Sequence, residues 1–259
     1  MTNRQSPRSI KAHSGASIFL FANTLVLAVV PALSHGATGP QGSVSFSEIE
    51  QSVVKVVVVG PNGINSVGTG FFVADGKRIA TAAHVYLEAA RAVVEGGGQM
   101  SAYKVLRDGH RWFLPVEYAA ADFVHDVALL KFDPSVLQNQ TPPFTAKALA
   151  FEGTKPEIGD PVAFVGYFAG DEFPLLSRTT IAGYTSAPPI PEQLILDLPA
   201  NPGQSGSPVF DLRTGKVVGV LASFVPVILV PGSLPTHSGL SRSVEVEHLK
   251  RLIESAEVR

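Results

Sequence analysis

The segment Asn201-Pro202-Gly203-Gln204-Ser205-Gly206-Ser207-Pro208-Val209 sets a serine between glycines in a tight turn, with strand-like runs on either side. Glycine at 203 lets the N–H groups of residues 203 and 205 turn toward one point, the donor pair that a developing oxyanion requires. Gly206 keeps the approach to the Ser205 hydroxyl clear. A serine hydroxyl is a poor nucleophile near neutral pH and needs a base within hydrogen-bond reach. Of the seven histidines, His84 stands out because it closes the small, strand-like run Ile79-Ala80-Thr81-Ala82-Ala83. Small neighbours let an imidazole lie against the backbone with one edge free. The base in turn needs a carboxylate to hold its tautomer. Asp126 opens the apolar run Val127-Ala128-Leu129-Leu130, an uncommon position for a residue depleted in strands; Asp122 is the nearby rival. Taken singly, these residues read as a turn serine, a strand-capping histidine and a strand-end aspartate.

The elements that must position them are strands. Glycine (24) and proline (20) are frequent among valine-rich runs, which favours many short strands joined by turns. In the first half, strands are expected at 52–59, 67–74, 78–83, 102–107, 111–118 and 127–132. The almost continuous valine run at 52–59 belongs to a strand buried on both sides or rolled into a barrel. A proline-containing stretch at 133–143 then connects to a second series at 146–151, 161–167, 175–184, 193–198, 207–211, 217–224 and 239–244. The last stretch, 244–254, changes period and suits a short amphipathic helix.

Forty-five per cent hydrophobic and 16% charged residues over 259 positions allow a well-buried core. The absence of cysteine removes disulfides, thiolate metal sites and a thiol nucleophile. A net charge of −2 without a basic cluster argues against a nucleic-acid partner. Arg4, Arg8 and Lys11 precede an apolar stretch at 18–30, closed by Pro31 and followed by Ala32, Ser34 and Gly36. That order is a secretory signal, with cleavage expected after Ser34 or Gly36, and the stretch is shorter than the roughly 20 apolar residues of a bilayer span. The expected product is secreted or periplasmic, without stable membrane insertion, and carries 17 basic against 22 acidic residues.

Three segments together resemble trypsin-like serine proteases: Thr81-Ala82-Ala83-His84, His125-Asp126-Val127-Ala128-Leu129-Leu130-Lys131 and Gly203-Gln204-Ser205-Gly206-Ser207-Pro208. Their order, and spacings of 42 and 79 residues, suit that family. Asn201-Pro202-Gly203 is similar to the cysteine-free HtrA-like peptidases and Ser205-Gly206-Ser207-Pro208-Val209-Phe210 to the glutamyl-endopeptidase-like ones. Val67-Gly68-Thr69-Gly70-Phe71-Phe72-Val73 resembles the Gly-rich strand that precedes their histidine.

The resemblance implies an all-β chain of two six-stranded antiparallel barrels with a short C-terminal helix. A signal peptide (1–36) and linker (37–45) would precede a first barrel (46–135) with His84 and Asp126, and a second (136–259) with Ser205. It implies a serine endopeptidase acting on protein or peptide substrates without metal or organic cofactor, with Gly203 and Ser205 as oxyanion donors. Trypsin has an acidic residue six positions before the nucleophile, where this chain has Pro199, so cleavage after Lys or Arg is not expected. Ala222, Ser223 and Phe224 correspond to a wall of the substrate pocket and suit small or medium apolar side chains, although His237 could supply a positive group for glutamate. The PDZ module usual in HtrA-like proteins is not expected after Arg259.

Other hydrolase classes fit poorly. The α/β-hydrolase elbow needs glycine two residues after its serine, where Ser207 stands, and its triad runs Ser, Asp, His. There is no His-Glu-x-x-His segment for a metallopeptidase, and the scattered His110, His125, His237 and His248 read as surface or structural residues rather than ligands.

Overall fold

The computed structural model describes residues 45–74, 76–139, 145–185, 191–227 and 236–258. The expected signal peptide and all of the linker except Ser45 lie outside the described residues, as does the side chain of His237. No helix among the described residues is long and apolar enough to cross a membrane.

Helix α1 (Phe46–Ser52) leads into β1 (Val53–Gly60). The valine run of β1 is explained by burial on both faces. Val54, Val56 and Val58 face one apolar cluster with Phe72, Ile79 and Leu130, whereas Val57 packs with Tyr103 and Val105. β2 (Gly63–Val73), β3 (Arg78–Thr81), α2 (Ala83–Gly96), β4 (Gln99–Val105), β5 (Arg111–Pro115), β6 (Glu117–Asp122) and β7 (Val127–Lys131) complete the first half. They form one antiparallel sheet in the order β5-β4-β1-β2-β3-β7-β6.

Seven strands stand where six were expected because the run at 111–118 breaks. Val116 donates its N–H to Met100 O at 3.0 Å, so β5 ends on β4 while β6 starts on β7. The two edge strands are thus consecutive in the chain, and the sheet must roll until its edges approach at Val116.

The four-residue α3 (Ser135–Gln138) occupies part of the expected connection, and residues 140–144 lie outside the described ones. The strand expected at 146–151 is not formed; it contributes one parallel bridge, Phe151 to Val217. Its backbone is divided between the halves, Leu149 N–H going to Phe72 O and Val217 N–H to Ala150 O, so it crosses between them rather than running along either. β8 (Pro161–Gly166), β9 (Leu175–Thr185), β10 (Gln193–Leu196), β11 (Pro208–Asp211), β12 (Val217–Val227) and β13 (Thr236–Glu245) close a six-stranded barrel in the order β10-β13-β12-β11-β8-β9. The all-β class expected from the sequence therefore holds, with one closed barrel, one rolled sheet and a C-terminal helix.

That helix, α4 (Val246–Glu257), begins two residues later than expected because Val244 still belongs to β13. A single apolar cluster joins the halves: Phe71, Ala80 and Leu129 meet Val165, Tyr167 and Val220, with Leu249 and Leu252 of α4 set into the same cluster. Arg78 donates to Ala256 O at 3.2 Å, which places a cation at the negative end of α4.

Leu249 is fully buried in this shared cluster. Truncating a leucine in such a site removes its transfer free energy and leaves a cavity. Leu249→Ala is expected to lower unfolding stability by about 2–5 kcal/mol in urea titration, the exposed control Val258→Ala by far less.

Candidate active site

His84 does not end a strand, as the sequence suggested; it sits in the first turn of α2. The alanine-rich segment from Ala83 has strong helical propensity, and Val85 and Ala89, four apart, bury one face. Ala82, the residue before the helix, makes no side-chain cap. The cap comes instead from 42 residues away. Asp126 Oδ1 accepts the His84 N–H at 2.9 Å, and Asp126 O accepts the Ala83 N–H at 3.1 Å.

Asp126 Oδ2 lies 2.8 Å from His84 Nδ1, so one carboxylate fixes both the backbone and the ring of the histidine. A carboxylate at a helix N-terminus is favoured by the unpaired N–H groups and the helix dipole. Asp126 reaches this position with φ of +55°, a left-handed conformation that aspartate tolerates better than most residues. Its side chain is 27% exposed and that of His84 42%, so the pair borders solvent. Asp122 is directed elsewhere, its Oδ2 lying 2.7 Å from His125 Nδ1.

Ser205 occupies a turn held from both halves. Gln204 N–H donates to Asn201 O at 3.0 Å across Pro202 and Gly203, a type II arrangement with proline second and a positive-φ residue third. Gly203 has φ of +91°, and a Cβ there would come within 2.7 Å of Tyr167 O. The buried Gln204 side chain returns to the turn, its Oε1 accepting the Asn201 N–H at 2.9 Å. Among the described hydrogen bonds, the N–H groups of Gly203 and Ser205 are engaged in none, and no bond joins Ser205 to His84. The Ser205 hydroxyl donates to Ala222 O at 2.8 Å.

From the first half, Thr69 on β2 is the principal clamp. Its N–H donates to Ser205 O at 2.8 Å, and its hydroxyl donates to Gly203 O at 2.7 Å. That hydroxyl also accepts the Tyr167 N–H at 2.9 Å. Thr81 Oγ1 donates to Thr69 O at 2.7 Å, joining β3 to the same point. Gly206 has φ of +86°, and a Cβ there would lie 2.1 Å from Thr69 O, so glycine is required by conformation and by space. Burial pushes the Tyr167 phenol far above its usual range, and Lys55 Nζ lies 5.6 Å from the centroid of its ring.

Of the residues expected at a substrate pocket, Ala222 is buried against the Ser205 hydroxyl. Pro199, Ser223 and Phe224 are half-buried. Phe224 pairs across β12 and β13 with Ser241, whose buried hydroxyl has no hydrogen-bond partner among the described residues. The structure thus joins His84 to Asp126 directly, and Ser205 to Ala222. Thr69, Gln204 and Ser241 had no assigned role in the sequence reading. For Thr69 the signal was the Val67-Gly68-Thr69-Gly70 segment; for Gln204, its place before Ser205.

A family profile described as a trypsin-like peptidase domain matches residues 68–220, more than half of the chain. Among curated proteins, the uncharacterized protein y4bJ of Sinorhizobium fredii (strain NBRC 101917 / NGR234) is 27% identical over 180 residues. The match takes in 66% of this chain and 24% of that protein, so the chain spans about a quarter of the length of this relative.

Similar solved structures include Deg5, with a TM-score of 0.58 at 20% identity over 80% of this chain and 89% of that one. The active form of the Rv3671c protease from M. tuberculosis has a TM-score of 0.57 at 22% identity, over 80% and 82% of the two chains. The HtrA-type protease AlgW with tripeptide has a TM-score of 0.55 at 18% identity, over 82% and 63%. At these identities the structural likeness is one of fold.

Thr69→Val keeps the shape of the side chain but leaves the Gly203 carbonyl and the Tyr167 N–H without their buried partner. An unsatisfied buried polar group costs about 1–3 kcal/mol. Chemical denaturation is expected to show a loss in that range or somewhat above it for Thr69→Val, and near-native stability for Thr69→Ser, which keeps the hydroxyl.

Proposed function

The chain belongs to the trypsin-like peptidase domain family, a family of serine-type endopeptidases, and from that premise we propose that it cleaves peptide bonds with Ser205 as nucleophile, His84 as base and Asp126 as the group that orients the base. The observation that carries this reading is the two-point hold of Asp126 on His84, at the backbone N–H and at Nδ1. With the Nδ1 proton directed to Asp126, Nε2 is left with the lone pair that a general base needs.

The proposed reaction begins when the Ser205 hydroxyl leaves Ala222 O and turns about χ1 toward His84 Nε2. The hydrogen bond given up has a net worth of about 1 kcal/mol, small beside the barrier of amide hydrolysis. His84 takes the proton as Ser205 Oγ attacks the scissile carbonyl carbon. The N–H groups of Gly203 and Ser205, unengaged among the described hydrogen bonds, would receive the oxyanion. Such donors are worth roughly 3–4 kcal/mol each at the transition state. His84 then passes its proton to the leaving amine, and the bond from carbonyl carbon to nitrogen breaks to give an acyl-enzyme. Water, deprotonated by His84, attacks the ester and releases the acid, and Ser205 regains its proton.

The proposed substrate is a protein or peptide whose residue before the scissile bond is small or medium and apolar. Pro199, Ala222, Ser223 and Phe224 bring no charge to the pocket wall, and Phe224 with its cross-strand neighbour Ser241 would limit its depth. Apolar walls with few polar groups select by size and shape.

An organophosphonate probe is expected to label Ser205 in the wild-type chain and not in Ser205→Ala. The same substitution should reduce kcat/KM by a factor on the order of 10⁴ or more, and Asp126→Asn by about 10⁴ with little change in KM. A folded wild-type chain that takes no label would overturn the assignment and leave a peptide-binding scaffold.

Peptide-library profiling is expected to select Ala, Val or Leu before the cleaved bond. Dominant selection of Lys, Arg or Glu would refute the pocket assignment while leaving the triad intact.

A further inference from the structure

The loop between β6 and β7 carries Asp126 at its end, and α4 packs against both of those strands. Three half-buried side chains meet where the helix and this strand end touch: Asp122 from the end of β6, His125 from the loop, and His248 from the first turn of α4. One side-chain donor atom of each lies within 4.8 Å of those of the other two. The proposed acyl transfer uses none of the three.

The cluster is organised by its own hydrogen bonds. Asp122 Oδ1 accepts the N–H groups of Val124 at 3.0 Å and His125 at 3.1 Å, which fixes the carboxylate. Its Oδ2 lies 2.7 Å from His125 Nδ1. The rings of His125 and His248 are stacked, with centroids 3.7 Å apart and planes inclined at 23°. His248 Nδ1 lies 2.9 Å from an Arg251 guanidinium nitrogen. Because guanidinium is only a donor, that histidine nitrogen presents a lone pair.

We propose that Asp122, His125 and His248 form a binding site for a divalent transition-metal ion of the Zn²⁺ type. Two imidazoles and one carboxylate are a donor set suited to Zn²⁺, with water completing four-coordination. Mg²⁺ and Ca²⁺ require more oxygen ligands than the cluster offers. All three residues are half-buried, so an ion can enter from solvent and keep a water ligand. The lone pairs of the stacked rings run side by side rather than converging. Binding therefore turns His248 about χ2 out of the stack, and the ion replaces the exposed guanidinium of Arg251. The bound ion would fasten α4 to the loop that carries Asp126.

The test uses the full chain with Ser205→Ala, freed of metal and titrated with ZnCl₂ near neutral pH by calorimetry. This background is silent in catalysis, so its result does not depend on the peptidase reading. One ion is expected to bind saturably with these three ligands. At zinc about one hundred times the dissociation constant, the thermal midpoint should rise by roughly 5–10 °C. Adding His248→Ala should lower the stoichiometry by one ion and remove the shift, and Asp122→Asn should weaken binding at least tenfold if His248→Ala is poorly folded. Adding His84→Ala instead should preserve both, which excludes an ion held by His84 and Asp126. Failure of the folded parent to bind zinc, or an unchanged stoichiometry in folded His248→Ala, would overturn the proposal.

Discussion

Thr69 is fully buried and makes four hydrogen bonds to three other segments, through its N–H, its carbonyl and, twice, its hydroxyl. Unpaired, each of these groups would be costly in so dry a place, so together they admit few arrangements of β2, β3, the end of β8 and the turn from 201 to 206. Much of the surrounding sequence follows. A bulge in the β1–β2 pairing, with Val56 opposite Gly68 and Val57 opposite Ser66, leaves Val67 as the extra residue just before this point. Such a bulge turns the strand, here where it must leave the sheet's own register to meet the serine turn.

Asp126 imposes a second constraint of the same kind. Helices usually take their N-cap from the preceding residue, but Ala82 has no oxygen in its side chain. The unpaired donors of α2 are met by a residue from another strand junction, which ties helix formation to closure of the β6–β7 loop. The histidine ring is then held by the same carboxylate that caps its helix. Part of the cost of the left-handed backbone at Asp126 is offset by this double use, since hydrogen bonds to an ionised group are the stronger ones. Fold and site therefore draw on one interaction at this position.

The strands with strong patterns were legible in the sequence: the valine run of β1 and the apolar segment of β7 both fall close to where their composition indicated. Helix α2 was not legible. Alanines at 82, 83, 89, 90 and 92 fit a small-residue strand as well as a helix, and exposed Leu87 and Val94 blur the stripe that would mark one buried face. The break at Val116 depends on a partner in β4, and the crossing at 146–151 on partners in both halves, so neither has a local signature. The spacing of His84, Asp126 and Ser205 was visible because motif order survives in one dimension. Thr69 meets Gly203 across 134 positions, and that pairing exists only after the two halves have docked.

Docking is driven by interactions with little directional preference. The cluster of Phe71, Ala80, Leu129, Val165, Val220 and Leu249 draws the halves together because apolar surface leaves water, yet it would tolerate small slides. Register comes from the polar contacts at its margin. Thr69 grips the serine turn from the first half. From the second, Gly206 N–H donates to Leu221 O at 2.7 Å and Leu221 N–H to Ser207 O at 2.9 Å, which pins the turn to β12. A serine held by both halves is sensitive to any slip between them, and the hydrogen bonds convert a diffuse attraction into a fixed position. The rolled sheet and the closed barrel need not match in strand number for this to work. They need only present Thr69 and Leu221 to the same six-residue turn.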